Sequence, residues 1–342
     1  MDLSDCVADA RHMQSSTDRR GPLRLGIVGL GAMGAEMLAA ASRLPDFTVD
    51  RAFDIDPAAT ARVQAGYPDV LFTATAAEVV ESMAVDAVYI ATPPMFHAEL
   101  AISAMQVGNA VFCEKPLAIS LADGRRMVHA ATEHDVASAV NFALSDRHAV
   151  LEIERSLALG EVGEVRGIDV RLSFPRWPRD FQADAAWLAS REQGGMVREV
   201  LSHFVYLTDR LLGPLDPVEV SIDTPRGDPH ASEVAARGFL RAGDVPVHVS
   251  AFAGTSAPEL YEWLLWGTRR SYLLRNWSEL LVSDGGGWTP VQLTGPRGSE
   301  ATRLSRFAAA VRGDTSRCLA DFVTALRVQS VVEAFHQRAV TV

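Results

Sequence analysis

Cysteine is scarce in this chain: three in 342 residues, Cys6, Cys113 and Cys318. They stand far apart and lack the short Cys/His spacings of a metal site. No metal and no disulfide framework is therefore expected, and a reducing, cytoplasmic setting is. Basic charge is short as well, with 32 Lys and Arg against 43 Asp and Glu and a net charge of −11. Nucleic acids and anionic membranes demand a basic face, so neither is the expected partner. No apolar run reaches the ~18 residues that span a bilayer. The first 21 residues mix charge with isolated apolar positions and lack the apolar core of a secretory signal, which predicts a flexible extension. What is present, 48% hydrophobic and 22% charged residues, suffices for two domains with cores of their own.

The stretch that organises the chain begins at Pro22. Leu23 to Val28 is a short apolar run with the character of a buried strand. It breaks into Gly29-Leu30-Gly31-Ala32-Met33-Gly34, then into an Ala/Met/Leu-rich helical segment, and a second apolar run, Phe47 to Phe53, ends at Asp54. Strand, G-x-G-x-x-G turn, helix, strand and an acid twenty residues after the last glycine form the dinucleotide-binding fingerprint. Gly29 permits the tight turn, Gly31 lets backbone approach a pyrophosphate, and Gly34 lets helix pack on strand. The helix N-terminus offers free N–H groups to the phosphates. Asp54 would accept hydrogen bonds from the ribose hydroxyls and repel a 2′-phosphate, which favours NAD over NADP.

Short strands and helices alternate up to Val136–Phe142, the pattern of a doubly wound parallel sheet whose ligands lie at the strands' carboxyl ends. Thr92-Pro93-Pro94, Glu114-Lys115-Pro116 and Asn141 fall at such ends. The rhythm then changes. A helix over 149–159 precedes a strand over 165–174, and Met196 to Leu212 reads as one helix stopped by Gly213-Pro214. Closely spaced strand candidates follow as far as 291–293, and helices are predicted over 303–311 and 319–340. Connections that short suit a mainly antiparallel sheet. The predicted fold class is α/β: a Rossmann-type domain over 22–142 and an α+β domain with a large open sheet over 143–342.

Three ordered motifs carry a resemblance: Gly29-x-Gly31-x-x-Gly34, Ala91-Thr92-Pro93-Pro94-Met95-Phe96-His97, and Val111-Phe112-Cys113-Glu114-Lys115-Pro116-Leu117-Ala118. Together they resemble the glucose–fructose oxidoreductase / inositol dehydrogenase / rhizopine-catabolism (Gfo/Idh/MocA) family over about residues 23 to 340. The resemblance implies that Lys115 lies near nicotinamide and substrate, that Lys115–Pro116 is cis, and that His97 supports the cofactor beside Thr92, Pro93 and Glu114. Relatives also carry a glycine run, an Asp, and a His four residues after it. Here the corresponding stretch, Gln193 to His203, has Glu199 for the Asp and keeps His203. On a regular helix Glu199 and His203 share one face, so the carboxylate would orient the imidazole as an acid/base pair. An ordinary helix-face ion pair is the plain alternative.

Asn141, Arg176, Trp187 and Tyr206 complete the candidate set as substrate contacts, with packing the competing explanation for Trp187 and Tyr206 and an exposed loop or subunit contact for Arg176. Arg176 belongs to Phe174-Pro175-Arg176-Trp177-Pro178-Arg179, a tract able to hold an anion or a sugar face. Trp263, Trp266 and Trp277 read as core or oligomer face. The resemblance implies a homodimer or homotetramer. The expected activity is hydride transfer between NAD(P) and a secondary alcohol or ketone of a small-molecule substrate, a sugar, cyclitol or related polyol, with Lys115, His203 and Glu199 as the catalytic residues. A same-fold enzyme acting on a dihydrodiol or imine, a non-catalytic NAD-binding regulator, and NAD-dependent glycoside cleavage are the rivals.

Overall fold

Leu23, Leu25, Ile27 and Val28 are buried along β1 (Leu23–Val28), so the first apolar run is a central strand. A computed structural model describes residues 21–182, 185–228, 230–314 and 319–341. The expected extension, Gly21 apart, lies outside the described residues, as do Cys6 and Cys318. The chain continues through α1 (Ala32–Ala41), β2 (Phe47–Phe53), α2 (Pro57–Gln64), β3 (Leu71–Phe72), α3 (Ala77–Val80), β4 (Ala87–Ile90), α4 (His97–Gln106), β5 (Ala110–Cys113), α5 (Leu121–Glu133) and β6 (Ser138–Val140). These six strands pair in the order β3-β2-β1-β4-β5-β6, all parallel. The order reverses beside β1, which opens the crevice at which such sheets take ligands.

The second half runs through α6 (His148–Ala158), β7 (Val165–Phe174), α7 (Ser202–Leu212), β8 (Leu215–Thr224), β9 (Ala235–Ala242), β10 (Val245–Ala253), β11 (Leu260–Gly267), β12 (Ser271–Arg275), β13 (Glu279–Ser283), β14 (Thr289–Pro290), α8 (Glu300–Val311), α9 (Phe322–Gln337) and β15 (Ala339–Thr341). Nine strands form a sheet that is antiparallel except where β10 meets β7 and β15 meets β8. Beyond shifts of a few residues at other ends, three elements differ from expectation. The strand expected at 291–293 is two residues at 289–290, an edge position that tolerates Pro290. The helix expected over 319–340 ends at Gln337, and its last residues pair with β8 instead. The helix expected over 196–212 opens with a π-helical turn, Val197–Leu201, before α7.

The chain passes from the first sheet to the second between β6 and β7, but the cores interlock. Leu304, Phe307 and Ala308 of α8 pack on the first sheet with Leu25, Ile27 and Phe112, and the Phe112 and Phe307 rings stack at 5.1 Å. This return of the chain brings Glu300 and Arg303 to the carboxyl ends of β5 and β6. Among the described residues no helix is long and apolar enough to cross a membrane.

Candidate active site

The glycine turn is built for a close approach. Gly29 has φ +94°, a left-handed conformation, and its N–H donates to Phe53 O at 2.8 Å. A Cβ on Gly34 would lie 1.8 Å from Gly29 O, whereas a Cβ on Gly31 would meet nothing within 4 Å. The tight glycine therefore closes helix onto turn, and the open one leaves backbone bare on the ligand side. No side chain caps the N-terminus of α1, and Ala32 and Met33 at its start are exposed. Asp54 Oδ2 accepts the Leu30 N–H at 2.5 Å and Oδ1 accepts the Asp56 N–H at 2.7 Å, which aims the carboxylate across the turn. Thr92 Oγ1, after β4, is buried without a hydrogen-bond partner. Free helix N–H groups, a bare glycine, an aimed carboxylate and an orphaned hydroxyl fit a dinucleotide.

His97 is a brace rather than an open cofactor contact. The ring is fully buried, with Nδ1 2.9 Å from Pro116 O and Nε2 2.9 Å from Thr92 O. Burial holds its pKa below the ordinary histidine range. It thus ties the loop after β4 to the cis Lys115–Pro116 peptide after β5.

Lys115 is the only lysine among 32 basic residues. Its ammonium donates to Glu199 Oε2, and the two side chains are 12% and 13% exposed. Glu199 Oε1 accepts from Gln182 Nε2 at 3.0 Å and lies 3.5 Å from Arg179 Nη2. Glu199 therefore holds Lys115 and does not orient His203 as expected. The π-helical turn alters the pitch on which an i,i+4 pair depends, and the cations at the strand end attract the carboxylate instead.

His203 is oriented by backbone. Its Nδ1 accepts the Ala143 N–H at 3.2 Å, so the neutral ring carries its proton on Nε2. Burial, then the charges of Lys115, Arg303, Arg179 and Arg147, holds its pKa well below the ordinary range. The ring is packed edge-on by Phe142 and by Trp277, centroids 5.6 and 5.2 Å away. Trp277, read from sequence as core or oligomer face, thus forms a wall of the site. Its φ of +69°, next to Asn276 at +48°, is a strained backbone for so bulky a residue.

Of the other four candidates, Asn141, Tyr206 and Arg176 are engaged by protein groups. Asn141 is buried and spent on protein: Nδ2 donates to Glu114 Oε1 (2.7 Å) and Glu300 Oε2 (2.9 Å), and Oδ1 accepts from Arg303 Nε (2.6 Å). Glu114 is enclosed in the same network by Tyr89 Oη, and burial pushes its pKa up. Tyr206 is buried and stacked on Phe142 at 4.7 Å. Arg176 points to solvent and pairs with Asp180, side chains 77% and 84% exposed, while Arg179 from the same tract turns inward. Trp187 sits half-buried in the helical turn Ala186–Ala189, one residue from the Leu188 carbonyl that accepts from Trp177 Nε1.

Arg303 is the hub that sequence reasoning missed. It is 1% exposed, donates to Asn141, Asp146 and Glu300, and lies 3.5 Å from Ala143 O. Through Asn141 it reaches Glu114 beside Lys115, and through the loop after β6 it steadies the Ala143 N–H on His203. The available signal was a charge on the apolar face of α8, one turn from Phe307. Arg303→Met leaves two carboxylates buried with one cation fewer. It should lower the unfolding free energy by about 3–5 kcal/mol in urea titration; a change under ~1 kcal/mol would show that the network carries little stability.

Comparison with known proteins places these features. Residues 23–142 match the family described as "Oxidoreductase family, NAD-binding Rossmann fold", and residues 150–273 match the "GFO/IDH/MocA C-terminal domain". The N-terminal domain is thus a nicotinamide-dinucleotide-binding Rossmann domain. The chain is 30% identical over 173 residues to an uncharacterized oxidoreductase of Streptococcus pneumoniae serotype 4, covering 51% of this chain and 46% of that protein. It is 28% identical over 278 residues to the dTDP-3,4-didehydro-2,6-dideoxy-alpha-D-glucose 3-reductase of Streptomyces violaceoruber, covering 75% of this chain and 77% of that one. A solved 3-ketoreductase from Actinomadura kijaniata, in complex with NADP and TDP-benzene, superimposes with a TM-score of 0.80. At 19% identity over 94% of this chain and 99% of that one, this likeness is one of fold.

Proposed function

Because the chain belongs to the GFO/IDH/MocA oxidoreductase family, we propose that it catalyses hydride transfer at a secondary alcohol or ketone of a sugar-like substrate, with Lys115 carrying the proton. The observation that carries this reading is Lys115 itself, a lone lysine at the carboxyl end of β5, ion-paired with Glu199. Arginine serves at every other basic position, and a guanidinium cannot release its proton at neutral pH. A chain that keeps one ammonium, and keeps it at this strand end, has it where a proton must move. The Streptomyces relative, named as a reductase of a keto sugar, supports the substrate class.

A bound nicotinamide dinucleotide supplies the hydride acceptor or donor. The protein's own groups handle the oxygen. In the direction of reduction, Lys115 donates its proton to the carbonyl oxygen as that oxygen gains charge, and accepts it back in oxidation. His203 does not compete for that proton. Its Nδ1 lone pair is taken by Ala143, and a second positive charge beside Lys115 would be costly, so it acts as an Nε2–H donor that stabilises the developing alkoxide. Glu199 keeps the ammonium aimed, and Gln182 and Arg179 keep Glu199 in place.

NAD is the preferred cofactor in this reading. Asp54 puts a carboxylate at the end of β2, where it would repel a 2′-phosphate, while the Asp56 carboxylate caps α2 by accepting the Ala58 N–H. Asp54→Ala should raise the NADP/NAD ratio of kcat/KM by about tenfold or more, since one removed repulsion is worth ~1.4 kcal/mol or more. An unchanged ratio would mean that Asp54 does not read the ribose. The reading as a whole is tested by screening sugars, cyclitols and their keto forms with NAD and NADP at about 340 nm, the reduced nicotinamide band. NADH binding without turnover of any of them would favour a regulator, and turnover confined to dihydrodiols or imines would move the substrate class.

A further inference from the structure

Arg179 stands where the proton-handling group ends, and its guanidinium is held from three sides. Nε donates to Gln182 Oε1 at 2.9 Å and Nη1 to Tyr261 Oη at 3.0 Å. The Trp177 and Phe181 rings lie 5.6 and 4.7 Å from Cζ. Nη2 faces Glu199 Oε1 at 3.5 Å, an ion pair without a hydrogen bond. A guanidinium has five N–H donors, and Gln182 and Tyr261 occupy one each. The free donors are not sealed in, because no Arg179 nitrogen is among the buried atoms that lack a partner. The side chain is nonetheless 9% exposed, so a charge there is only partly screened by water.

Among the described residues no carboxylate accepts a hydrogen bond from Arg179. Lys115 and Arg179 share Glu199, which accepts a hydrogen bond from Lys115, and the next carboxylate, Glu259, accepts from the Tyr261 hydroxyl rather than from Arg179. The Arg179 guanidinium is thus held in orientation while its Nη2 hydrogens have no hydrogen-bonded acceptor. We propose that Arg179 is the specificity-determining residue and that it reads a carboxylate on the substrate, so that sugar acids or carboxylated cyclitols are preferred to their neutral parents. The proposal rests on the hydride-transfer reading above. A carboxylate is the group that a single guanidinium edge fits bidentately. A diphosphate would call for further cations, and a bare hydroxyl would form no pair between opposite charges.

The test uses the full chain with D-glucuronate and D-galacturonate against D-glucose and D-galactose. Binding to the NADH complex is read by tryptophan fluorescence, Trp177 lying against Arg179, and oxidation by NAD at about 340 nm. The uronates should exceed their parent hexoses by about tenfold or more in kcat/KM, the gain expected of a charge-assisted pair. That advantage should shrink with added salt. Arg179→Met should bring the uronate-to-hexose ratio near one, and Arg179→Lys should restore part of it. The ratio is the reading, because Arg179 also braces Glu199 and its loss lowers turnover of both classes. Equal or better handling of the hexoses, a ratio unmoved in Arg179→Met, or binding of neither class overturns the proposal. Selective uronate binding with no cofactor reduced sinks the hydride-transfer reading and leaves the role of Arg179 standing.

Discussion

Lys115→Met should lower kcat by about three orders of magnitude, the range of a lost general acid/base, while NADH binds as before. The separation follows from position. Lys115 lies at the end of β5 with its ammonium on Glu199, whereas the glycine turn and Asp54 belong to β1 and β2. Lys115→Arg sharpens the result, since it keeps the charge and its attraction to Glu199 but cannot give up a proton. Equal loss in both variants points to proton transfer; recovery in Lys115→Arg would point to charge alone. Chemistry offers an independent route, because an amine-directed reagent has only Lys115 and the chain's N-terminus to attack. Turnover above about a tenth of the parent's in Lys115→Met would remove Lys115 from the mechanism.

Gly34→Ala and Gly31→Ala should both abolish dinucleotide binding, for opposite reasons. The added methyl of Gly34→Ala would sit 1.8 Å from Gly29 O, a backbone atom that can yield only if the turn opens. That variant should lose NADH affinity and also several degrees of thermal midpoint, as overpacking by one methyl costs about 1–3 kcal/mol or more. Gly31 is different. Its φ of −63° suits alanine, and the methyl meets nothing within 4 Å in the protein. Gly31→Ala should therefore melt like the parent and still fail to bind NADH, because the methyl occupies the side on which a pyrophosphate must lie. Normal NADH affinity in Gly31→Ala would show that the dinucleotide does not cross this turn.

What was legible in the sequence follows the range of the interactions. The turn at Gly29–Gly34 and its acid were readable because spacing within one strand–helix–strand unit determines them. The two-sheet division was readable from the change in spacing between strands. Lys115 was found by its motif, although the composition already marked it as the only lysine. The partner of Glu199 was not readable. It lies 84 residues away, and a π-helical turn undoes the spacing that suggested His203. Arg176 and Arg179 are equivalent in composition and three residues apart. Only the fold of that loop turns one outward to Asp180 and the other inward to Glu199. Arg303 was passed over because α8 returns to the first sheet from the far end of the chain, a contact that no local pattern encodes.

The central claim is that hydride leaves or joins a carbinol carbon while Lys115 handles the proton, and isotope transfer tests it most directly. A polyol or sugar acid turned over in the screen is prepared with deuterium on the reacting carbon and incubated with the protein and NAD. Mass spectrometry of the cofactor should find one deuterium at C4 of the nicotinamide for each ketone formed, and none above background with Lys115→Met. Deuterium lost to water, product formed without labelled cofactor, or equal labelling in Lys115→Met would contradict the account.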